Sequence, residues 1–333
     1  MAEYETDLRR PEDALPAFLP PLLEGQYGPA LTERILDGYR CRRAVTLRAN
    51  PLKTDRAAVA AALTAAGLEP EQIPWYPDAF LLPRAREDAV RALPLYEAGE
   101  VYLQSLSSML PPLVLDPQPG MDILDMAAAP GGKTTQLAAL AGNRCHITAC
   151  ERDPRRAERL KYNVAKQGAA CVYVMVTDAR QLDDAFSFDR ILLDAPCSGS
   201  GTLSLPETGP GRFTQALVEK SVRSQKALLA KALQLLKPGQ ELVYSTCSIL
   251  ARENEDVVAW ALSGSGVEPV PIEGYWLEAL PLLPTRLAGT VCVCPDSRFE
   301  GFFVAKLRKT GPVKLPGTPS AVRGKSASRR RRR

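Results

Sequence analysis

The chain has a single histidine, His146, and its eight cysteines include no CxxC pair. Without ligands at metal spacing no zinc site is expected, and no other metal centre either. Long apolar runs are missing as well: none approaches the roughly 20 residues that cross a bilayer. The opening residues MAEYETDLRRPEDALP lack the basic start and apolar stretch of a signal peptide. A cytoplasmic protein with no membrane partner is therefore expected, with cysteines that are thiols and mostly small buried hydrophobes. The body of the chain also lacks positive charge. The formal net charge is +4, but the seven positive charges between Arg323 and Arg333 leave the rest at −3. Overall charge thus gives no argument for nucleic-acid binding. The tail GKSASRRRRR either gains affinity for phosphates by counterion release or is simply a solvated, disordered end.

What is present suffices for an enzyme-sized core. A chain of 333 residues, 45% of them hydrophobic, is expected to form two compact domains. Residues 1–105 combine proline punctuation with an Ala-rich helical stretch, Thr54 to Ala66, that stops at Gly67. They read as a small N-terminal α/β domain. From Met121 short apolar runs (MDILDM, CHITAC, CVYVMV, FDRILLD, ELVYS) alternate with amphipathic helices, the pattern of a mostly parallel, doubly wound sheet over residues 106–309. One helix begins at Asp153-Pro154, an N-cap followed by an N1 proline. A longer one carries Val218, Val222, Leu228, Leu229 and Ala232 toward the sheet. After Arg308 the composition falls to Gly, Pro, Ser and Arg, so the fold is expected to end near Lys309, leaving residues 310–333 as a disordered basic tail.

A loop of small residues, Ala127, Ala128, Ala129, Pro130, Gly131, Gly132 and Lys133, follows the first strand of this pattern and opens a helix. Open α/β sheets bind nucleotides at that place. The loop also fits a relaxed phosphate-loop pattern, which keeps a nucleotide hydrolase open as a reading. Against it, alanine replaces the first glycine and Pro130 removes an amide donor that would cradle phosphate. Glu151 and Asp178 end the next two strands. Acids at successive strand ends suit a neutral or cationic nucleoside better than a triphosphate. Asp194-Ala-Pro-Cys197-Ser-Gly follows one strand and Ser245-Thr-Cys247-Ser follows its neighbour, so two thiols are expected at the rim where the ligand binds.

These stretches, with Gln104-Ser-Leu-Ser-Ser-Met-Leu-Pro and Gly301-Phe-Phe-Val-Ala-Lys-Leu, make the chain resemble the NOL1/NOP2/Sun family of RNA 5-methylcytosine methyltransferases over nearly all of residues 20–309. The resemblance implies a Rossmann-like class I methyltransferase domain and S-adenosyl-L-methionine as cofactor. It also implies an RNA substrate, ribosomal RNA first and transfer RNA second. It assigns Cys247 as the nucleophile and Cys197 to product release. DNA enzymes use the cysteine of a Pro-Cys loop instead, which leaves Cys197 as the rival nucleophile. Carbon 5 of cytosine is a weak nucleophile until a thiolate adds at carbon 6, and Asp194 is the available acid for ring N3. By the same resemblance Ala127 to Lys133, Glu151, Asp178 and Asp194 hold the cofactor, with Lys133 reaching toward the substrate or the methionine carboxylate. Arg48, Asn50 and Lys53, in Thr46-Leu-Arg-Ala-Asn-Pro-Leu-Lys, are candidates for contact with the RNA backbone, or else a structural strand and turn. The stretch from Leu203 to Phe213 departs from the family pattern. A monomer is expected, and a catalytically silent RNA-binding scaffold remains the third reading.

Overall fold

The computed structural model describes residues 15–205 and 213–317. Two helices come first, α1 (Leu19–Tyr27) and α2 (Pro29–Arg40). A small unit follows: β1 (Val45–Ala49), α3 (Arg56–Ala65), β2 (Glu71–Gln72), β3 (Ala79–Leu82), the short α4 (Glu87–Arg91) and α5 (Pro94–Glu97), and β4 (Val101–Leu103). Its strands form an antiparallel sheet in the order β2-β3-β1-β4. Leu47, Val59, Leu63, Phe80 and Val101 form the core beneath it.

The larger unit begins with α6 (Leu106–Leu115), then runs β5 (Asp122–Asp125), α7 (Gly132–Leu140), β6 (His146–Glu151), α8 (Pro154–Lys166), β7 (Val172–Val176), β8 (Phe188–Asp194), α9 (Gln215–Leu235) and β9 (Leu236–Thr246). It closes with α10 (Glu255–Leu262), β10 (Ser265–Val270), β11 (Leu282–Leu283), β12 (Val291–Val293) and β13 (Phe302–Lys314). The sheet order is β11-β12-β13-β9-β8-β5-β6-β7, with β10 added on β13. The strands β5 to β9 are mutually parallel, and β10 to β13 extend the sheet antiparallel. The chain winds from β5 outward through β6 and β7, then returns to place β8 and β9 on the other side. The strand order therefore reverses between β5 and β8, and a crevice opens there at the carboxyl ends.

The local signals behave as the sequence predicts where they are strongest. The Asp153 carboxylate accepts from the Arg156 amide at the head of α8, with Pro154 at the first helical position. Val218, Leu228, Leu229 and Ala232 of α9 are buried against the sheet, and Val222 packs at its edge.

Two expectations are corrected. The helices α1 and α2 belong to the first 105 residues in sequence, yet they pack on the large unit rather than on the small sheet. Leu19, Leu23, Ile35 and Tyr39 share one core with Leu229, Tyr244 and Phe303. The Tyr39 hydroxyl donates to the Ser200 carbonyl at 2.6 Å and the Tyr27 hydroxyl to the Ile249 carbonyl at 2.6 Å. Apolar spacing marks such helices as amphipathic but does not say which surface they cover. Nor does the fold stop at Lys309. β13 continues to Lys314, which pairs with Ser265, and Leu315 is buried beyond it. Ladder pairing is a backbone property, so a stretch poor in apolar side chains still adds to a sheet. The Arg-rich end, residues 318–333, and the middle of the unusual loop, residues 206–212, lie outside the described residues.

Candidate active site

Five parallel strands deliver their last residues to one edge. Asp125 ends β5, Glu151 β6 and Asp194 β8, while Asp178 follows β7 and Cys247 follows β9. The small-residue loop leaves β5 through Met126, whose amide donates to Leu192, and Ala128, whose amide donates to Cys150. From α8, Arg156 donates to the Ala129 carbonyl and Asn163 to the Pro130 carbonyl, each at 2.7 Å. Gly131 has φ +107°, a backbone conformation that favours glycine at the turn onto α7. The loop walls a cavity of about 260 Å³, together with Asp125, Lys133, Asp194, Glu300, Tyr102 of β4, Ser108 of α6 and, between those elements, Gln104 and Ser105. Glu151 and Asp178 stand on the neighbouring strand ends and do not line it. Glu151 is buried, accepts from the Asp153 amide and has Arg156 at 3.5 Å. Asp178 is held by Arg180, whose hydrogen bond keeps its carboxyl below the usual range.

Lys133 is turned away from its own loop. Its ammonium lies 2.8 Å from Asp194 and donates to the Ser108 hydroxyl at 2.6 Å. Burial works against that charge, but the Asp194 carboxylate outweighs it and holds the lysine above its ordinary value. A phosphate loop needs this lysine free for phosphate. Asp194 also accepts from the Ser245 hydroxyl at 2.8 Å. Asp125 is fully enclosed, bonded by Thr134 at 2.7 Å, and burial pushes its carboxyl up to about 6.

The register that sets Asp194 opposite Ser245 brings the two cysteine loops together. Cys197 Sγ and Cys247 Sγ are 3.0 Å apart. That contact and burial push the Cys197 thiol well up from its ordinary value. Behind the pair sits Glu253, fully buried, accepting from the Ser198 amide at 2.7 Å, from the Ser198 hydroxyl and from the Ser248 hydroxyl at 2.6 Å. Gly201 and Gly301 lie back to back: a Cβ on Gly201 would fall 1.9 Å from the Gly301 carbonyl oxygen. No local pattern marks Glu253, because one of its partners is 55 residues upstream. Ser108 and Gln104 do fall in a stretch that carried the family resemblance.

The N-terminal trio requires correction. Arg48 and Asn50 are fully buried. Arg48 donates to Gln104 Oε1 at 2.9 Å, to the Gly132 carbonyl at 3.1 Å and to Thr135 Oγ1 at 2.6 Å, and its guanidinium stacks over Tyr102. Asn50 donates to the Gly99 and Gln167 carbonyls. Both stitch the small sheet to the large unit and offer nothing to RNA. Only Lys53 is exposed, with its ammonium on the Ala98 carbonyl. Among the described residues no cluster of three or more His, Cys, Asp or Glu side chains is arranged to hold a metal ion, and no helix is long and apolar enough to cross a membrane.

A reversing parallel sheet with a small-residue loop at its switch point and acids on the adjoining strand ends defines a Rossmann-like class I methyltransferase fold. Residues 112–308 match the family model of the 16S rRNA methyltransferase RsmB/F, and residues 15–87 match the ferredoxin-like domain of RsmF/B-like methyltransferases. The chain belongs to this RsmB/F methyltransferase family. It is 37% identical over 295 residues to the ribosomal RNA small subunit methyltransferase F of Cronobacter sakazakii, a match covering 84% of this chain. The chain spans 60% of that relative's length. Among solved structures, a methyltransferase homolog protein from Pyrococcus horikoshii superposes with a TM-score of 0.75 at 32% identity, covering 89% of this chain and 100% of the other. NSun6 from the same organism, crystallised with SFG, superposes at 0.81 with 23% identity, covering 90% and 100%, and shares the fold.

Proposed function

We propose that the protein is an S-adenosylmethionine-dependent RNA (cytosine-5)-methyltransferase acting on ribosomal RNA. The observation that carries this reading is the pair of thiols, 3.0 Å apart, on two adjacent strand ends beside the Lys133–Asp194 ion pair. The names of the curated relatives support ribosomal RNA as the substrate.

The residues present fit the cofactor. Alanine and glycine let a nucleoside lie close to the backbone of residues 127–132, and Glu151, outside that cavity on the next strand end, is the carboxylate that ribose hydroxyls would reach. When bound, S-adenosylmethionine supplies an electrophilic methyl group on its sulfonium.

The protein's own groups prepare the base. The Cys247 thiolate bonds to carbon 6 of the cytosine, and the electron pair displaced from the ring makes carbon 5 nucleophilic. Lys133 and Asp194 present a proton or hydrogen bond to ring N3, where negative charge would otherwise build up. Once carbon 5 carries the methyl group, a base takes the carbon 5 proton, the electron pair of that bond re-forms the C5–C6 double bond, and the Cys247–C6 bond breaks with its pair returning to the sulfur. Cys197 Sγ lies 3.0 Å from Cys247 Sγ, beside the bond that must break, which suits it to assist release.

The test uses Cys197→Ala and Cys247→Ala proteins with small-subunit ribosomal RNA and the cofactor. Cys197→Ala is expected to accumulate an RNA-linked band that survives denaturing electrophoresis, and Cys247→Ala to form none. The reverse pattern would make Cys197 the nucleophile. Digestion of RNA treated with the unaltered protein should release 5-methylcytidine, and a methyl group found only on another base would end the cytosine reading.

A further inference from the structure

A second cleft, of about 430 Å³, lies where α5 and β4 of the small unit meet α8 of the large one. Its chemistry comes from Tyr96, Tyr102, Tyr162, Arg91, Arg159 and Lys166, and no carboxylate lines it. Lys166 is only 12% exposed and lies 4.2 Å from the centre of the Tyr96 ring and 5.6 Å from that of Tyr162. Arg91 donates to the Tyr96 hydroxyl at 2.6 Å. Glu87 pairs with Arg91 and Glu97 with Lys166, neither of them lining the cleft. Arg159 is exposed and has no hydrogen-bond or ion-pair partner among the described residues. Tyr162 is 57% exposed, a large ring facing water.

We propose that this cleft binds a nucleotide of the substrate RNA outside the target cytosine, its base stacked on Tyr162 and its phosphate held by Arg159. The proposal rests on the reading of the protein as an RNA methyltransferase. Stacking platforms interleaved with cations are how proteins hold single strands without reading sequence, because every base has a π-face and every nucleotide a phosphate. The volume falls in the range of small-ligand sites. Position supports the same occupant: Tyr102, Leu103 and Pro130 line both this cleft and the cavity at the cofactor loop. The cleft thus borders the cavity that Lys133 and Asp194 line, on the side from which a strand would approach the reacting base. Because α5 and β4 form one wall and α8 the other, an RNA seated here bridges the two units. The small unit then contributes to RNA binding through this cleft rather than through the buried Arg48 and Asn50.

The test measures binding of protein-free small-subunit ribosomal RNA to the full chain by filter retention across a salt series, with cofactor affinity measured by calorimetry. Tyr162→Ala is expected to weaken RNA binding about tenfold, and Tyr162→Phe to restore it, since the ring and not the hydroxyl does the stacking. Arg159→Ala should lower the slope of log affinity against log salt by about one. Cofactor affinity should not change in any of the three, which shows that the variants are folded. RNA carrying 4-thiouridine should photocrosslink to the peptide that contains Tyr162. Unchanged affinity and salt slope in Tyr162→Ala and Arg159→Ala, or crosslinks confined to other peptides, would overturn the cleft while methyl transfer stood. A protein that neither binds nor methylates RNA would take the functional reading down first, and the cleft with it.

Discussion

Replacing Arg48 tests whether the small unit is a structural clamp on the cofactor loop. The guanidinium is fully buried, and among the described residues no carboxylate is in ion-pair reach of it and one of its nitrogens, Nη1, has no partner. Its other donors reach Gln104, the Gly132 carbonyl and Thr135. Arg48→Ala deprives the Gln104 Oε1 of its donor, at about 1–3 kcal/mol for an orphaned buried acceptor. It also leaves a void, at roughly 2–3 kcal/mol for a lost buried side chain. Opposing both, it removes a cation whose burial itself costs several kcal/mol. The two losses come to about 3–6 kcal/mol, and relief of the buried cation offsets about half, so a net loss of about 1–3 kcal/mol is expected. Arg48→Met keeps most of the volume and also removes the charge, so about 1–2 kcal/mol is expected there. Urea unfolding followed by circular dichroism reads these differences. Calorimetry should show cofactor affinity falling several-fold in Arg48→Ala, because Gly132 and Thr135 form the first turn after the loop. If RNA affinity dropped while unfolding and cofactor affinity stayed as in the parent, Arg48 would be an RNA ligand and the clamp reasoning would fail.

Glu253→Gln places an amide donor among three donors, and a loss of about 2–3 kcal/mol in stability is expected. The rate of methyl transfer per folded molecule should fall with it; a variant as fast as the parent would show that Glu253 does not order the cysteine loops. Asp125 is raised by burial from 3.8 to about 6 in the folded protein. The stability tied to its protonated form is complete below about pH 3.8 and is lost as pH rises through about 6, a change of about 3 kcal/mol. The difference in unfolding free energy between the parent and Asp125→Asn, measured from pH 4 to 7, should follow that course, and a flat difference would refute it. A chain ended after Lys309 loses the last five residues of β13 and the buried Leu315 that a chain ended after Gly317 keeps. The shorter one should be less stable by about 2–4 kcal/mol in urea, and equal midpoints would return the fold's end to Lys309.

The sequence made the parallel half of the sheet legible because most strands there are short apolar runs closed by an acid or a turn, and α8 and α9 carry side-chain N-caps at Asp153 and Thr214. The antiparallel end of β13 was not, since Thr310-Gly-Pro-Val-Lys314 has few apolar side chains and pairs through its backbone. Arg48 and Asn50 misled for a related reason. Polar residues near a proline turn look solvent-facing, and only the docking of β1 against α7 and α8 supplies their buried acceptors. The cleft beside Tyr162 left no trace in any motif, because its two walls are separated by about 60 residues of chain.

The two thiols mark the boundary between what spacing and what tertiary structure determine. That each follows a strand is readable from the alternation of apolar and polar residues, and it places both on the ligand edge. That they touch depends on β8 and β9 being neighbours in a register that sets Asp194 opposite Ser245. From there the chain advances three residues to one cysteine and two to the other, and the shared Glu253 pulls both loops over the same strand ends. A shift of β9 by one residue would turn Ser245 away from Asp194 and separate the sulfurs, because side-chain direction alternates along a strand. The same contact ties the two thiols together, so what displaces one loop displaces both sulfurs. Breaking the Glu253 bracket should therefore damage release of the RNA as much as attack on it. In a Glu253→Gln protein, an RNA-linked band is expected to persist in the denaturing gel where the parent turns over and leaves none.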